Sequence, residues 1–358
     1  MVEKSTLPVT IVATSSLAEM LDPVPGRRME LAGFDEEFVD FPDYIIRITD
    51  RIWHQRKVEM CLDYYEDDCV IHTLGGDIVG AQTVVDNTYA TLKAFPDRRL
   101  EADNVIWSQD GEGVFYSSHL ITSLMTNEGD TEFGPATGKR VQVLTVADCL
   151  CRNNRIYEEW LVRDNAGLAL QLGYDPSEIA QRQARSGPSL INVHSSAHAE
   201  LMAGEAECAD FPAQAEKEPE AFAKAVFARL WNGRELDLAA TIYDFRVDAR
   251  YPNGQRLYGP AAVVELLQGL FASFPDARVR VEHVAHVPYL EGARDIAVRW
   301  SLAATHLAAG SYGEPSGAPV FIIGVTQWRV VNGQIHDEWT IWDDIAVHRQ
   351  IADSRLAG

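Results

Sequence analysis

Basic side chains are scarce in this sequence. Lysine and arginine number 31 against 53 aspartates and glutamates, a formal net charge of −22 over 358 residues. Such a field repels phosphate backbones and anionic bilayers, so neither nucleic acid nor a membrane surface is an expected partner. Long apolar runs are absent too, none approaching the roughly 20 residues a membrane helix needs. The segment Leu7–Ala13 is short, broken by Pro8 and preceded by Glu3 and Lys4, which makes a poor secretory signal. There are only five cysteines, an odd number with no C-x-x-C pair. Cys149 and Cys151 read as same-side strand neighbours rather than a zinc knuckle, and a reducing cytoplasm is the expected compartment. No phosphate-cradling glycine loop, nucleotide fingerprint or serine elbow occurs. His194 and His198 have helical spacing, but Ser195 stands where a zinc protease carries its glutamate. Neither a metal nor a cofactor is expected.

What the sequence does contain is a repeat. Arg51-Ile52-Trp53 returns as Arg229-Leu230-Trp231 (231−53 = 178), and Phe95-Pro96-Asp97 as Phe274-Pro275-Asp276 (276−97 = 179). Gly138 matches Gly317, and Ile156-Tyr157-Glu158-Glu159-Trp160 matches Ile335-His336-Asp337-Glu338-Trp339 (339−160 = 179). With 46% apolar residues the chain can fill two cores, each of ordinary domain size.

In the first copy, Ile45, Ile48, Ile52 and Trp53 recur at helical spacing from Asp43 onward, followed by a second helix ending near Tyr64-Tyr65. A strand at Cys69–His72, a turn at Gly75-Gly76 and a helix from about Ala81 to Ala94, stopped by Pro96, come next. Four strands follow, Leu100–Trp107, Gly113–Met125, Lys139–Cys151 and Ile156–Arg163, joined by polar turns such as Asn153-Asn154. The second copy repeats the order from Glu220 to Trp342. This α+β string predicts two tandem cone-shaped α+β barrels, each a curved antiparallel sheet with helices packed on one side. Residues 1–40, broken by Pro23, Pro25 and Gly26, form an N-terminal arm; 41–174 are the first domain. Residues 175–219 are a connector with helices at Ser177–Arg185 and Ala197–Glu207, and 220–358 are the second domain.

Three groups of residues carry a resemblance. They are the two Phe-Pro-Asp segments, Pro135-Ala136-Thr137-Gly138-Lys139 with Ser316-Gly317, and the paired Glu-Trp segments running to Asp164 and Asp343. Recurring in order, twice, they resemble the nuclear transport factor 2-like superfamily, and within it the SnoaL-like polyketide cyclases. The resemblance covers most of the chain except arm and connector. It implies a pocket for a small molecule inside each domain, and pairing of the two copies as an intramolecular pseudo-dimer, with further homo-oligomerisation open. Because the superfold hosts isomerases, dehydratases, epoxide hydrolases and binding modules alike, the chemistry has to come from the site.

Ketosteroid isomerases of this superfold carry a base at the end of the first strand, a place held here by His72. They carry a protonated oxyanion-binding acid on a later long strand, where the match is Asp148, the one acid in an otherwise apolar strand. The alternative reading pairs Asp148 with Arg152. SnoaL-like cyclases place an acid–base aspartate on the last strand; Asp164 and Asp343 are the nearest acids, although Leu161 and Thr340 directly follow the tryptophans. His119 is a further catalytic candidate, with Tyr65, Trp107 and Tyr116 as substrate contacts. His72 becomes Arg250 and Asp148 becomes Gln327 in the second copy, which therefore lacks a comparable acid–base pair. Arg250, Tyr251, His306 and Asp343 are left there as anion contacts. The leading expectation is a cofactor-independent cyclase, isomerase or lyase/dehydratase working in the first domain on an apolar, oxygenated small molecule. Its rival is a non-catalytic ligand-binding or scaffold protein.

Overall fold

The computed structural model describes residues 9–357 except Pro25, Ala206 and Glu207. Leu7 and Pro8, Pro25 of the arm, and the end of the connector helix expected to reach Glu207 lie outside the described residues.

The arm carries a 3-10 turn at Val12–Thr14 and a short helix, α1 (Leu17–Leu21), whose N-terminus is closed by a capping box between Ser16 and Glu19. Helix α2 (Phe41–Thr49) begins two residues earlier than the apolar spacing indicates. Asp40 caps it by accepting from the Asp43 N–H at 2.8 Å, and Pro42 sits in the first turn, where a missing N–H costs nothing. The helix runs on as a π turn over Asp50–His54. Asp40 also fastens the arm, accepting from the backbone N–H and the hydroxyl of Thr10, each at 2.7 Å. Val12, Met20, Phe38 and Phe34 of the arm pack into the first core, with the Phe34 ring edge-on to Tyr44 and Phe115.

Short α3 (Cys61–Tyr64) leads into β1 (Tyr65–His72), β2 (Ile78–Val79) and α4 (Ala81–Ala94), the last with the bounds its pattern predicts. Then come β3 (Arg99–Gly111), β4 (Val114–Thr126), β5 (Arg140–Arg152) and β6 (Arg155–Arg163). Helix α5 (Asn165–Leu172) follows β6, and α6 (Pro176–Ser186) and α7 (Leu190–Ala203) lie in the connecting stretch. The second copy repeats the plan with α8 (Pro219–Ala225), another π turn over Val226–Asn232, α9 (Ala239–Ile242), β7 (Tyr243–Tyr251) and β8 (Gln255–Tyr258). It closes with α10 (Pro260–Ser273), β9 (Arg278–Pro288), β10 (Ala293–Thr305), β11 (Pro319–Val331), β12 (Gln334–Trp342) and α11 (Asp344–Ala357).

The chain adopts the expected two-domain α+β architecture, with two differences of detail. Each sheet has six strands, ordered β2-β1-β6-β5-β4-β3 and β8-β7-β12-β11-β10-β9, so each is open rather than a closed barrel. Each is also mixed: β1 runs parallel to β6 and β7 to β12, because the first strand of each copy returns against the last. The extra strands β2 and β8 are too short to show a period. Two compact units result. One comprises residues up to Thr73, Asp77–Leu161 and Ala285–Glu291; the other comprises Leu74–Gly76, Val162–Val284 and Gly292–Gly358. Among the described residues no helix is long and apolar enough to cross a membrane.

Candidate functional site

Strand alternation and register divide the first sheet into two faces. Val105 pairs with His119, Phe115 with Cys151 and Ser117 with Cys149. Val105, Phe115, Cys149 and Cys151 belong to the core built around α2 and the arm, so His119 and Ser117 face that helix-covered interior. His119 is 3% exposed, and its Nε2 has no hydrogen-bond partner. Burial strips water from the imidazolium and drives the pKa down to about 3. The ring is therefore neutral at physiological pH.

That depression has a measurable consequence. The unfolded chain takes up a proton near pH 6.5 that the folded chain refuses until about 3. Stability from this group is thus present above pH 6.5 and lost as the pH falls through that window, at up to about 1.4 kcal/mol per pH unit. Denaturant titrations at pH 7 and 5 are expected to show a smaller loss for His119→Leu than for the native chain; equal losses would contradict the burial argument.

A second ionisable group faces the same interior, and the sequence pattern does not reveal it. Glu159 is 5% exposed. Its charge, after desolvation itself, helps lift the pKa of Tyr65, Cys61, Cys69, Cys149 and Cys151, which together surround it in the core. Strict alternation from buried Ile156 would put Glu158 inward. Instead the register against β1 shifts between Tyr65 and Val70, and Glu159 turns in. The one legible signal is that, of the acids in the repeated Ile-to-Trp segment, only this glutamate is identical in both copies.

His72 and Asp148 lie on the other face of the sheet, away from His119. Ile71 enters the core, so His72, next along β1, points away from it. Its ring is held by Asp77 at 2.9 Å on Nδ1 and Glu158 at 3.1 Å on Nε2, and stacks on Trp160. Asp148 is fully buried, sits opposite Ser118 and accepts from the Tyr116 hydroxyl; Arg152 binds Glu66 instead. Tyr116 therefore shares the Asp148 side, whereas Trp107 and Tyr65 reach the interior.

Asp164 and Asp343 serve as fasteners. The carboxylate of Asp164 accepts three backbone N–H groups, from Gly167 at 2.8 Å, Asn253 at 2.9 Å and Gly254 at 2.8 Å. Burial raises its pKa, and those three donors pull it back. Asp343 accepts from the Asn165 side chain at 2.6 Å and from the Ile345 N–H at 3.1 Å at the start of α11. Each aspartate ends a strand where a helix begins, and donors at that place attract a carboxylate whatever its chemistry.

The second interior also holds an acid, one that the substitutions at Arg250 and Gln327 do not reveal. Glu338, 1% exposed, accepts on Oε1 from Tyr251 at 2.6 Å and Thr340 at 2.5 Å. Since the Thr340 proton is committed there, Thr326 donates to Thr340 at 2.9 Å, and the Trp300 Nε1–H donates to Thr326 at 3.0 Å. Desolvation raises the Glu338 pKa against this support. Tyr243 and Trp328 lie near enough to lower it, yet neither makes a hydrogen bond of good geometry to Oε2. Rings of Phe227, Trp231 and Trp300 pack together beside the network. The expected anion contacts do not converge: Tyr251 is spent on Glu338, Arg250 lies over Trp339, His306 contacts Ser316 and Asp343 caps α11. Among the described residues no group of three or more His, Cys, Asp or Glu side chains is arranged to hold a metal ion.

Comparison with known proteins gives the same division into two copies. A SnoaL-like protein of Jannaschia sp. shares 19% identity and the match covers 41% of this chain and 98% of that one, with a TM-score of 0.33. IdmH of Streptomyces antibioticus shares 19% over 37% and 96%, with a TM-score of 0.31. A SnoaL-like polyketide cyclase of Agrobacterium tumefaciens shares 20% over 37% and 96%, with a TM-score of 0.31. No curated protein matches the chain. The profile of the SnoaL-like polyketide cyclases matches residues 31–172 and again 222–351, and the chain belongs to that family as a tandem of two such domains.

Proposed function

We propose that the chain is a cofactor-independent acid–base enzyme, a cyclase, isomerase or lyase/dehydratase, acting on an apolar, oxygenated small molecule inside the first domain. The observation that supports this is that a buried carboxylate, Glu159, and a neutral imidazole, His119, face the same apolar interior. An imidazole that protonates only near pH 3 is a weak base but a sound hydrogen-bond donor, so the roles assigned to histidine and acid from the sequence exchange. Glu159 takes a proton from a carbon beside a carbonyl. The electron pair moves onto the carbonyl oxygen, where Tyr65 and His119 donate to it. The carbanion then attacks a second carbonyl to close a ring, the new alkoxide taking the proton back from Glu159 and leaving as water where a further α-proton is lost, or it regains the proton at another carbon. A dry interior strengthens each of these interactions relative to water.

The second domain, with its carboxylate already tied to Tyr251 and Thr340, is structural or has another specificity. Incubating the native chain with aromatic β-dicarbonyl compounds, in the presence of excess chelator, tests the assignment. A product of the same mass, or one lighter by water, supports it. Ligands that raise the melting temperature yet return unchanged would establish the rival reading of a binding protein.

A further inference from the structure

The duplication exposes one place where the copies share a frame but differ in what fills it. At the Phe-Pro-Asp corner of the first copy, Arg56 adopts a left-handed backbone (φ 60°) and donates to the carbonyls of Pro96 at 2.8 Å and Arg98 at 3.3 Å. Arg234 in the second copy has φ 58° and donates to Ala277 at 2.8 Å. His54 accepts from the Leu100 N–H at 3.0 Å as Asn232 accepts from Val279 at 2.8 Å. Asp97 accepts from the Thr126 N–H at 2.6 Å as Asp276 accepts from Thr305 at 2.8 Å. A cleft opens at each corner, of about 800 Å³ in the first copy and about 570 Å³ in the second.

The occupants differ. In the second cleft Arg278 donates to the carbonyl oxygen of Gly204, at the end of α7, and Gly204 and Glu205 line the space. The side chain of Arg99, the counterpart of Arg278 (278−99 = 179), makes no hydrogen bond or ion pair among the described residues. Arg56, Arg98, Arg99 and Arg140 line this first cleft against Asp97 and Glu101, a local balance of 4−2 = +2 in a chain of −22. Asp97 also accepts the Thr126 hydroxyl at 2.7 Å, and after those bonds the Arg140 guanidinium helps hold its carboxyl below the usual range, leaving Arg99 as the cation with no acid on it among the described residues. Leu17 from α1, with Leu124 and Met125, supplies an apolar wall.

We infer that the first cleft binds a small amphiphilic anion, its carboxylate or phosphate on Arg99 and Arg140 and its apolar body against Leu17 and Met125. The second copy shows what the frame takes: an oxygen acceptor, supplied there by the chain itself. Arginine suits such a group because its planar fork meets two oxygens at once. A volume near 800 Å³ accommodates a molecule of drug-like size. This site is separate from the interior around Glu159 and does not rest on the catalytic reading.

Calorimetric titration of the full chain with inorganic phosphate, octanoate and octyl phosphate tests it. Octanoate or octyl phosphate is expected to bind at least tenfold tighter than inorganic phosphate, the tighter of the two naming the head group. Affinity is expected to fall at least tenfold in the Arg99→Gln/Arg140→Gln double variant and to stay unchanged in Arg278→Gln. Arg99 and Arg140 are exposed, so the double variant keeps its fold, which far-ultraviolet circular dichroism verifies. Unchanged affinity in the double variant, an equal loss in Arg278→Gln, no binding of either amphiphile, or phosphate binding as tightly as both would each overturn the proposal.

Discussion

Glu159→Gln is expected to lower kcat/KM for a substrate of the first domain by roughly 10²- to 10⁴-fold, the usual worth of a positioned general base. Glutamine keeps the shape and the hydrogen-bonding capacity of the side chain but cannot accept the proton. The site is buried, so the exchange removes a desolvated charge, and folding is expected to be unimpaired. This separation of chemistry from stability makes the variant informative. Glu338→Gln, made in parallel, is expected to leave turnover within about threefold of the native rate, because its carboxylate is bonded to Tyr251 and Thr340 in the other domain. Full turnover in Glu159→Gln would remove the first interior as the place of reaction, and loss only in Glu338→Gln would move it to the second.

Asp164→Ala is expected to destabilise the second compact unit by about 3 kcal/mol. Three backbone N–H groups lose their shared acceptor, each orphaned donor costing about 1–3 kcal/mol when water cannot replace it. Gly254 is exposed and recovers water, so the sum stays near the lower end. Loss of the Asp164 cap also frees the first turn of α5 from the Asn253-Gly254 turn. For a unit of this size the melting temperature is expected to fall by about 6–12 °C. Asp164→Asn keeps one acceptor oxygen and is expected to lose less than half as much. A catalytic aspartate would behave in the opposite way: the asparagine variant would melt normally and turn over nothing. Calorimetry beside a rate measurement distinguishes the two.

Much of this architecture was readable residue by residue. The two Phe-Pro-Asp corners, the helix bounds Ala81–Ala94 and the turn at Asn153-Asn154 follow from local rules, and both asparagines take up the positive φ such a turn requires. Strand positions came within a residue or two at most ends, since alternation of apolar and polar residues is a local property. Face assignment was the weak point. Reading His72 and Asp148 as partners in one interior followed from the place of His72 at a strand end and of Asp148 as the one acid in an apolar strand, but a shift of one residue in register exchanges the two faces of a strand. The same shift hid Glu159 and Glu338, which alternation counted from Ile156 and Ile335 assigns to the outside.

By itself the sequence determined that there are two copies, that each is α+β, the order of the longer elements in each, and a formal net charge of −22. These are properties of local patterning and summed charge, legible without coordinates. Only the tertiary structure decided which acid is desolvated and where the parallel strand pairs bend the register. It also decided that Arg278 has an oxygen to hold while the Arg99 side chain has none among the described residues. Burial and pairing are set by residues about 90 positions apart along the chain, as Ile71 and Glu159 are, and no short window of sequence contains both.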